Sequence, residues 1–321
     1  MKIVFPSVRS VACIAWAAFA FAFAGCVTSD EDENRGTKVL VIGDGFTSSA
    51  MANLPRVAAE CGVELDVASL SLNVATFKHH CDNLRKDGWR GHEPYKLFRN
   101  RFGSVTRKDM NIADALRLAK WNYVVVQQAN GESGKEASYK PYGAELVARI
   151  RELAPQAELV VQEPWSYTPW DPRLKAWGLD QDELHRRIHA AVTAFAKAEK
   201  LKVIPMGRAV QQWRRRRPVK YGEHSFGGDV VGGRYSKERD MFLRRPDGRW
   251  EPKCDVSHLN EKGEFLQSLV WAVALLGVDP MDMEFKPDGV DAHDALLMKS
   301  IALTLDALDG FANSPLISTQ K

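Results

Sequence analysis

Cysteine is scarce in this chain of 321 residues, five in all, and the places where they fall remove most of what cysteine could do. Cys13 sits in an apolar leader and Cys26 closes it, which leaves Cys61, Cys81 and Cys254 for the folded part. An odd count is no disulfide framework, although one bridge could form in an oxidising compartment. Paired Cys/His ligand spacing is also missing, so a zinc module is not expected, and neither another metal nor a cofactor is. No internal repeat or low-complexity tract interrupts the chain. A charge of one sign is lacking too, since 44 Lys and Arg against 41 Asp and Glu leave a net +3.

What is present begins with the leader. Lys2 and Arg9 precede an apolar stretch from Val11 to Ala24 that ends in Ala24-Gly25-Cys26. That pattern reads as a signal peptide, and small residues directly before a cysteine suit lipoprotein processing with acylation of Cys26. The expected location is therefore exported and membrane-anchored, in the periplasm or at the cell surface. Residues 27–36 (VTSDEDENRG) are polar and acidic and read as a flexible tether. Residues 37–321 are long enough for one large α/β domain.

Within that domain short apolar runs alternate with helical segments. Lys38–Ile42, Leu65–Leu70, Tyr123–Gln127, Glu158–Gln162 and Lys202–Pro205 read as strands. Helices are expected over Thr47–Cys61, from near Gln181, over Glu261–Leu276 and over Asp291–Leu308; Leu184, Ile188, Val192 and Phe195 recur every three or four residues to line one face. Alternation of this kind predicts a flavodoxin-like three-layer α/β/α sandwich around a parallel sheet of about five strands. Two stretches break the rhythm, 73–110 and 214–253, and carry uneven charge: residues 84–108 and residues 214–253 are each net +6. Both insertions are expected to hang over the carboxyl edge of the sheet, where such folds bind ligands.

Gly43-Asp44-Gly45-Phe46-Thr47 ends the first strand and opens the first helix, so residue 45 stands where backbone N–H groups and a helix dipole converge. Near the other end, Asp255-Val256-Ser257-His258-Leu259-Asn260 precedes a helix. A histidine three residues after an aspartate can be oriented by it as a general base.

With these blocks the chain resembles the SGNH/GDSL hydrolase superfamily. The first block of that family is Gly-Asp-Ser or, in a secreted carbohydrate-associated branch, Gly-Asn-Ser-Phe-Thr; here it is GDGFT. The resemblance continues through WNYVVVQQ at 121–128, QEPWSY at 162–167, VIPMGRAV at 203–210 and DVSHLNEKGEFL at 255–266. It implies the α/β/α fold, His258 as the base, Asp255 as its orienting acid, and Gly45 at the position of the nucleophilic serine. It also implies a substrate-binding neighbourhood of Asp44, Asn130 from the third block with Gln128 where glycine is common, Asn73 near the second block, and Trp165.

Glycine has no side chain to attack with. Thr47, Ser48 and Ser49 lie further along the helix, about 1.5 Å per residue away from the strand edge. Cys81 or Cys254 could supply a thiol, could bridge, or could be inert. His79-His80-Cys81-Asp82 reads as a polar loop, and Arg214–Arg217 as either an anionic-glycan contact or a solvated charged loop. Trp165, Tyr167, Trp170 and Trp177 suit either sugar rings or local packing.

Three functions follow. One is a family member with lost or weakened ester hydrolysis that binds carbohydrate, in one form an anionic polysaccharide, or acts as an accessory protein. Another is an active carbohydrate deacetylase in which His258 and Asp255 work on water or a different nucleophile, and a third is a structural surface lipoprotein. The membrane is a partner through the lipid; nucleic acid is not expected of an exported chain.

Overall fold

The computed structural model describes residues 35–85, 95–169, 171–217, 228–234, 242–244, 250–252 and 254–309. Residues 1–34, which include Cys26 and most of the segment expected to be a tether, Trp170 and most of 218–253 lie outside the described residues. The first strand, β1 (Thr37–Gly43), runs into a short helix α1 (Gly45–Ser48), a 3-10 turn and α2 (Leu54–Glu60), so the single helix expected over 47–61 is broken in two. Pro55 enters the second piece at its first turn, where a missing N–H costs nothing. β2 (Leu65–Ser71), α3 (Phe77–Arg85), β3 (Tyr95–Arg101), β4 (Ser104–Met110), α4 (Ile112–Arg117) and β5 (Tyr123–Val126) follow. Then come α5 (Asn130–Ser133), α6 (Tyr142–Leu153), β6 (Glu158–Gln162), α7 (Pro172–Trp177), α8 (Gln181–Glu199), β7 (Lys202–Ile204) and α9 (Met206–Arg216). The chain continues through β8 (Val231–Arg234), β9 (Phe242–Arg244), β10 (Trp250–Pro252), β11 (Cys254–Leu259), α10 (Glu261–Trp271) and α11 (Ala292–Asp309).

The sheet order is β4-β3-β2-β1-β5-β6-β7, in which β2, β1, β5, β6 and β7 are parallel. Those five strands have the flavodoxin-like order, with its switch point beside β1. Their inner residues, among them Val39, Leu40, Ile42, Val67, Val124, Val125 and Val160, are fully buried. This is the near-continuous apolar character expected of strands covered on both faces. One covering layer joins α3, α4, α6 and α8; the other joins α2, α9, α10 and α11. Gly43 is required where β1 turns into α1, because a Cβ there would collide with the Thr47 side chain.

The two insertions are built differently. The first begins with α3, so the stretch His79–Asp82 is helical and not a loop, and its remainder is the antiparallel hairpin β3–β4, which widens the sheet from five strands to seven. Charge explains why this basic segment is ordered: Arg99 reaches the fully buried Asp66 on β2 with its Nε 2.8 Å from Oδ1, and Arg101 lies 3.9 Å from the same carboxylate. An unpaired buried Asp66 would be costly, so the hairpin is held against the sheet by neutralising it. The second insertion supplies β8, which pairs antiparallel with β11. Arg214–Arg217 is mostly the last turn of α9 and not a loop, with Arg215 and Arg216 exposed. Arg214 is buried, with its Nη2 3.0 Å from Asp229 and its Nη1 3.0 Å from the Ser166 hydroxyl, while Arg217 pairs with Asp294.

Candidate functional site

Asp44, extended at the N-cap of α1, accepts the Phe46 N–H on its own side chain at 2.9 Å. The Gly45 N–H begins the helix and has no protein acceptor among the described residues. Such an amide can receive a developing oxyanion. Opposite it, β8 and β11 form a ribbon whose register slips between Asp255 and Leu259. A bulge of this kind re-aims side chains, and here it turns His258 towards Gly45. A Cβ placed on Gly45 would lie 3.5 Å from His258 Nε2 and 3.7 Å from Cδ2.

Asp255 holds the other ring nitrogen, with its Oδ2 2.7 Å from His258 Nδ1, and its Oδ1 accepts the backbone N–H groups of Ser257 and His258 at 2.7 and 2.8 Å. The hydrogen bond to Asp255 holds the His258 pKa above the ordinary histidine value in spite of partial burial. The ring itself is half exposed. Asn260 caps α10 by accepting the Gly263 N–H at 3.1 Å, while its amide nitrogen binds the carbonyls of Asp229 and Gly232. The ribbon and the helix that follows it are thereby pinned together. Gly263 permits this contact, since a Cβ there would strike the Val230 carbonyl.

Beneath Gly45 lies a buried polar row that the sequence did not announce. Gln127 Nε2 is 3.2 Å from Asp44 Oδ1, Gln162 Nε2 is 2.5 Å from Gln127 Oε1, and Gln162 Oε1 accepts from Trp271 Nε1 at 2.6 Å and Gln267 Nε2 at 3.0 Å. Gln267 also binds the Phe46 carbonyl at 2.9 Å and accepts the Ser49 hydroxyl at 2.6 Å. Burial pushes the Asp44 carboxyl up to about 6, against the Phe46 N–H, His258 and Gln127, which favour its ionised form.

The remaining expected residues divide. Trp165 is fully buried beneath Phe46, with ring centroids 4.6 Å apart and its Nε1 2.8 Å from the Ser257 carbonyl. It supports the His258 segment from below and cannot face substrate. Asn130 is buried with its amide nitrogen 3.2 Å from the Trp165 carbonyl. Gln128 faces away: its oxygen accepts the N–H groups of Phe77 and Ala129 at 3.0 Å, and its nitrogen binds the Ser138 carbonyl at 2.8 Å. It fixes a loop in place of contacting ligand. Asn73 is exposed beyond β2, tied to the site edge through the Leu72 N–H to Gly43 carbonyl bond at 3.2 Å. Cys81 is a buried free thiol donating to the Tyr142 carbonyl at 3.1 Å, with its pKa pushed up to about 12 by burial, which disqualifies it as a nucleophile. The Cys254 side chain lies outside the described residues. Ser48 donates to the Asp44 carbonyl at 3.2 Å, a local capping bond.

One nearby cation escaped the sequence reading. Arg173 lies 3.7 Å over the Tyr167 ring, its Nε 2.8 Å from Asp171, close enough to bear electrostatically on both His258 and Asp255. The legible signal was Asp-Pro-Arg, an N-cap followed by a first-turn proline.

No family model matches the chain, and no curated protein does. Solved structures do. The chain is similar to a DUF4886 family protein from Bacteroides uniformis at 24% identity, over 88% of this chain and 98% of that one, with a TM-score of 0.69. That likeness is one of fold. More distant are the lipase/acylhydrolase from Enterococcus faecalis, at 14% identity over 76% and 98% of the two chains with a TM-score of 0.42, and a Clostridium thermocellum family 3 carbohydrate esterase, at 13% over 74% and 93% with 0.39.

Proposed function

We propose that this chain is a hydrolase-fold protein that binds acylated carbohydrate at the carboxyl edge of its sheet, and whose own ester hydrolysis is weak because Gly45 stands where a serine would attack. The observation that carries this reading is the aim of His258: its Nε2 faces the empty Cβ position of Gly45 at 3.5 Å, with Asp255 behind it. A base and its orienting acid are in place and the nucleophile is not. The test is hydrolysis of a small aryl acetate by the wild type, Gly45→Ser, and Gly45→Ser combined with His258→Ala.

The space beside Gly45 favours a second, slower route. No side chain stands between the Gly45 backbone and His258 Nε2, so a water hydrogen-bonded to that nitrogen can take the part of the attacking group. His258 would take the water proton, the oxygen would add to the acyl carbon, and the same proton would return to the departing alcohol. Anchorage through an acylated Cys26 belongs to the proposal as well; it rests on the leader sequence alone. Among the described residues no helix is long and apolar enough to cross a membrane.

A further inference from the structure

We propose that a pocket between α1 and the β3–β4 hairpin is a subsite for an acidic sugar residue, a uronate or a sulfated pyranose, of the polysaccharide assigned to the Gly45 site; the sugar rests on that reading, and the charge rests on the pocket. The cavity is about 410 Å³ and is walled by Ser48 on one side and by β2, β3 and β4 on the other. Ser48 is three residues beyond Gly45, about 4.5 Å along the helix axis. The pocket therefore adjoins the candidate site.

Strand register decides which groups share this face. Ser71, Lys96 and Asp109 stand in one row, and Ser69, Phe98 and Arg107 in the next, all with side chains on the same side of the sheet. Lys96 and Asp109 neutralise each other, with Nζ 2.6 Å from Oδ1. Asp109 is thus answered before any ligand arrives. Arg107 is not: among the described residues it has no carboxylate partner, and its guanidinium is held 5.1 Å from the Phe98 ring centroid. Arg107 is exposed, and a guanidinium beside an aromatic ring presents a planar donor fork whose geometry suits a carboxylate or sulfate better than a lysine would.

Two hydroxyls complete the pocket. Ser71 is half-buried and has no side-chain partner among the described residues. Ser69 lies in the floor, 1% exposed, and its Oγ is a buried polar atom with no hydrogen bond. A buried hydroxyl without a protein partner can take one from outside the chain, and a ligand rich in hydroxyls supplies it. A guanidinium without a carboxylate partner, an aromatic ring and spare hydroxyls in a cavity of this size match an acidic pyranose more closely than a bare inorganic ion.

The test is calorimetric titration of the full chain in detergent with four probes: an oligogalacturonate, a chondroitin sulfate oligosaccharide, a neutral xylo-oligosaccharide, and sodium sulfate alone. The acidic oligosaccharides are expected to bind at least about tenfold more tightly than the neutral one at low salt, and Arg107→Ala to remove about that factor. Arg216→Ala, which deletes an exposed charge elsewhere, should leave affinity unchanged. Ser69→Ala should weaken binding while its melting temperature stays at or above that of the wild type, an outcome a merely structural hydroxyl would not give. Equal affinity for neutral and acidic probes, or an unaltered Arg107→Ala, overturns the subsite even if Gly45→Ser gains esterase activity. Sulfate alone binding as tightly as the oligosaccharides overturns the sugar assignment. Acidic-sugar binding that depends on Arg107 with no gain in Gly45→Ser would keep the subsite and sink the esterase reading.

Discussion

His258 Nε2 stands 3.5 Å from the point that a Cβ on Gly45 would occupy, so a serine introduced there would bring its Oγ within hydrogen-bonding reach of the ring. Gly45 is helical and is not among the residues of positive φ, which means the substitution adds no backbone strain. Wild-type hydrolysis of aryl acetates is expected near background. Gly45→Ser should raise it about 10²-fold or more, and His258→Ala in that variant should abolish the gain. Asp255→Asn in the same variant should cost roughly 10²-fold to 10⁴-fold by misorienting the imidazole. Strong wild-type activity that needs His258 would refute the proposal and leave the water route.

Asp44 makes the pH dependence of stability testable. Its carboxyl is raised from 3.8 to about 6 by burial, so the folded protein holds this proton more tightly than the unfolded chain. The stabilising contribution is whole below about pH 3.8 and is lost as pH rises through 6. Asp44→Asn keeps an oxygen for the Phe46 and Gln127 N–H groups and never ionises. Urea unfolding should find it about 2 kcal/mol more stable than wild type at pH 8, with the difference vanishing towards pH 4. His258 acts in the same direction at higher pH, because its raised pKa gives stability that is complete below 6.5 and lost as the pH passes its folded value.

Gln162→Met conserves volume but strands Trp271 Nε1 and Gln127 Oε1 in a buried place, while Gln267 Nε2 keeps the Phe46 carbonyl. A loss of about 4 kcal/mol is expected by chemical denaturation, since each orphaned group costs roughly 1–3 kcal/mol. A cost below about 1 kcal/mol would mean that these groups find other partners.

If Cys26 carries lipid, the native protein partitions with membranes and Cys26→Ser is released into the soluble fraction after export. Equal partitioning of the two forms would remove the anchor from the proposal.

The five parallel strands were legible because buried strands such as Val39–Ile42 and Tyr123–Val126 are unbroken apolar runs between turn residues. The His258–Asp255 pair was legible because both members sit in one short segment. The hairpin β3–β4 was not: β4 is exposed along nearly all its length, and β3 owes its order to Arg99 meeting an aspartate far earlier in the chain. The same reason hid the glutamine row, whose members lie on β6, α10 and the end of β5 and are neighbours only after folding. Of the two readings open for Trp165, burial selects local packing. An aromatic next to a site sequence resembles a sugar platform until its burial under Phe46 is seen.

The indole N–H of Trp271 can only donate, and this settles the orientation of everything beyond it. Gln162 must turn its oxygen to the indole and its nitrogen to Gln127, and Gln127 must then turn its nitrogen to Asp44. The amides lie head to tail, each with the positive end of its dipole towards the carboxylate. Reversing any one of them would set donor against donor. Helix α10 is therefore in electrical contact with the N-cap of α1 across the ends of β6, β5 and β1, and a change of charge at Asp44 polarises the whole row without any atom needing to change place.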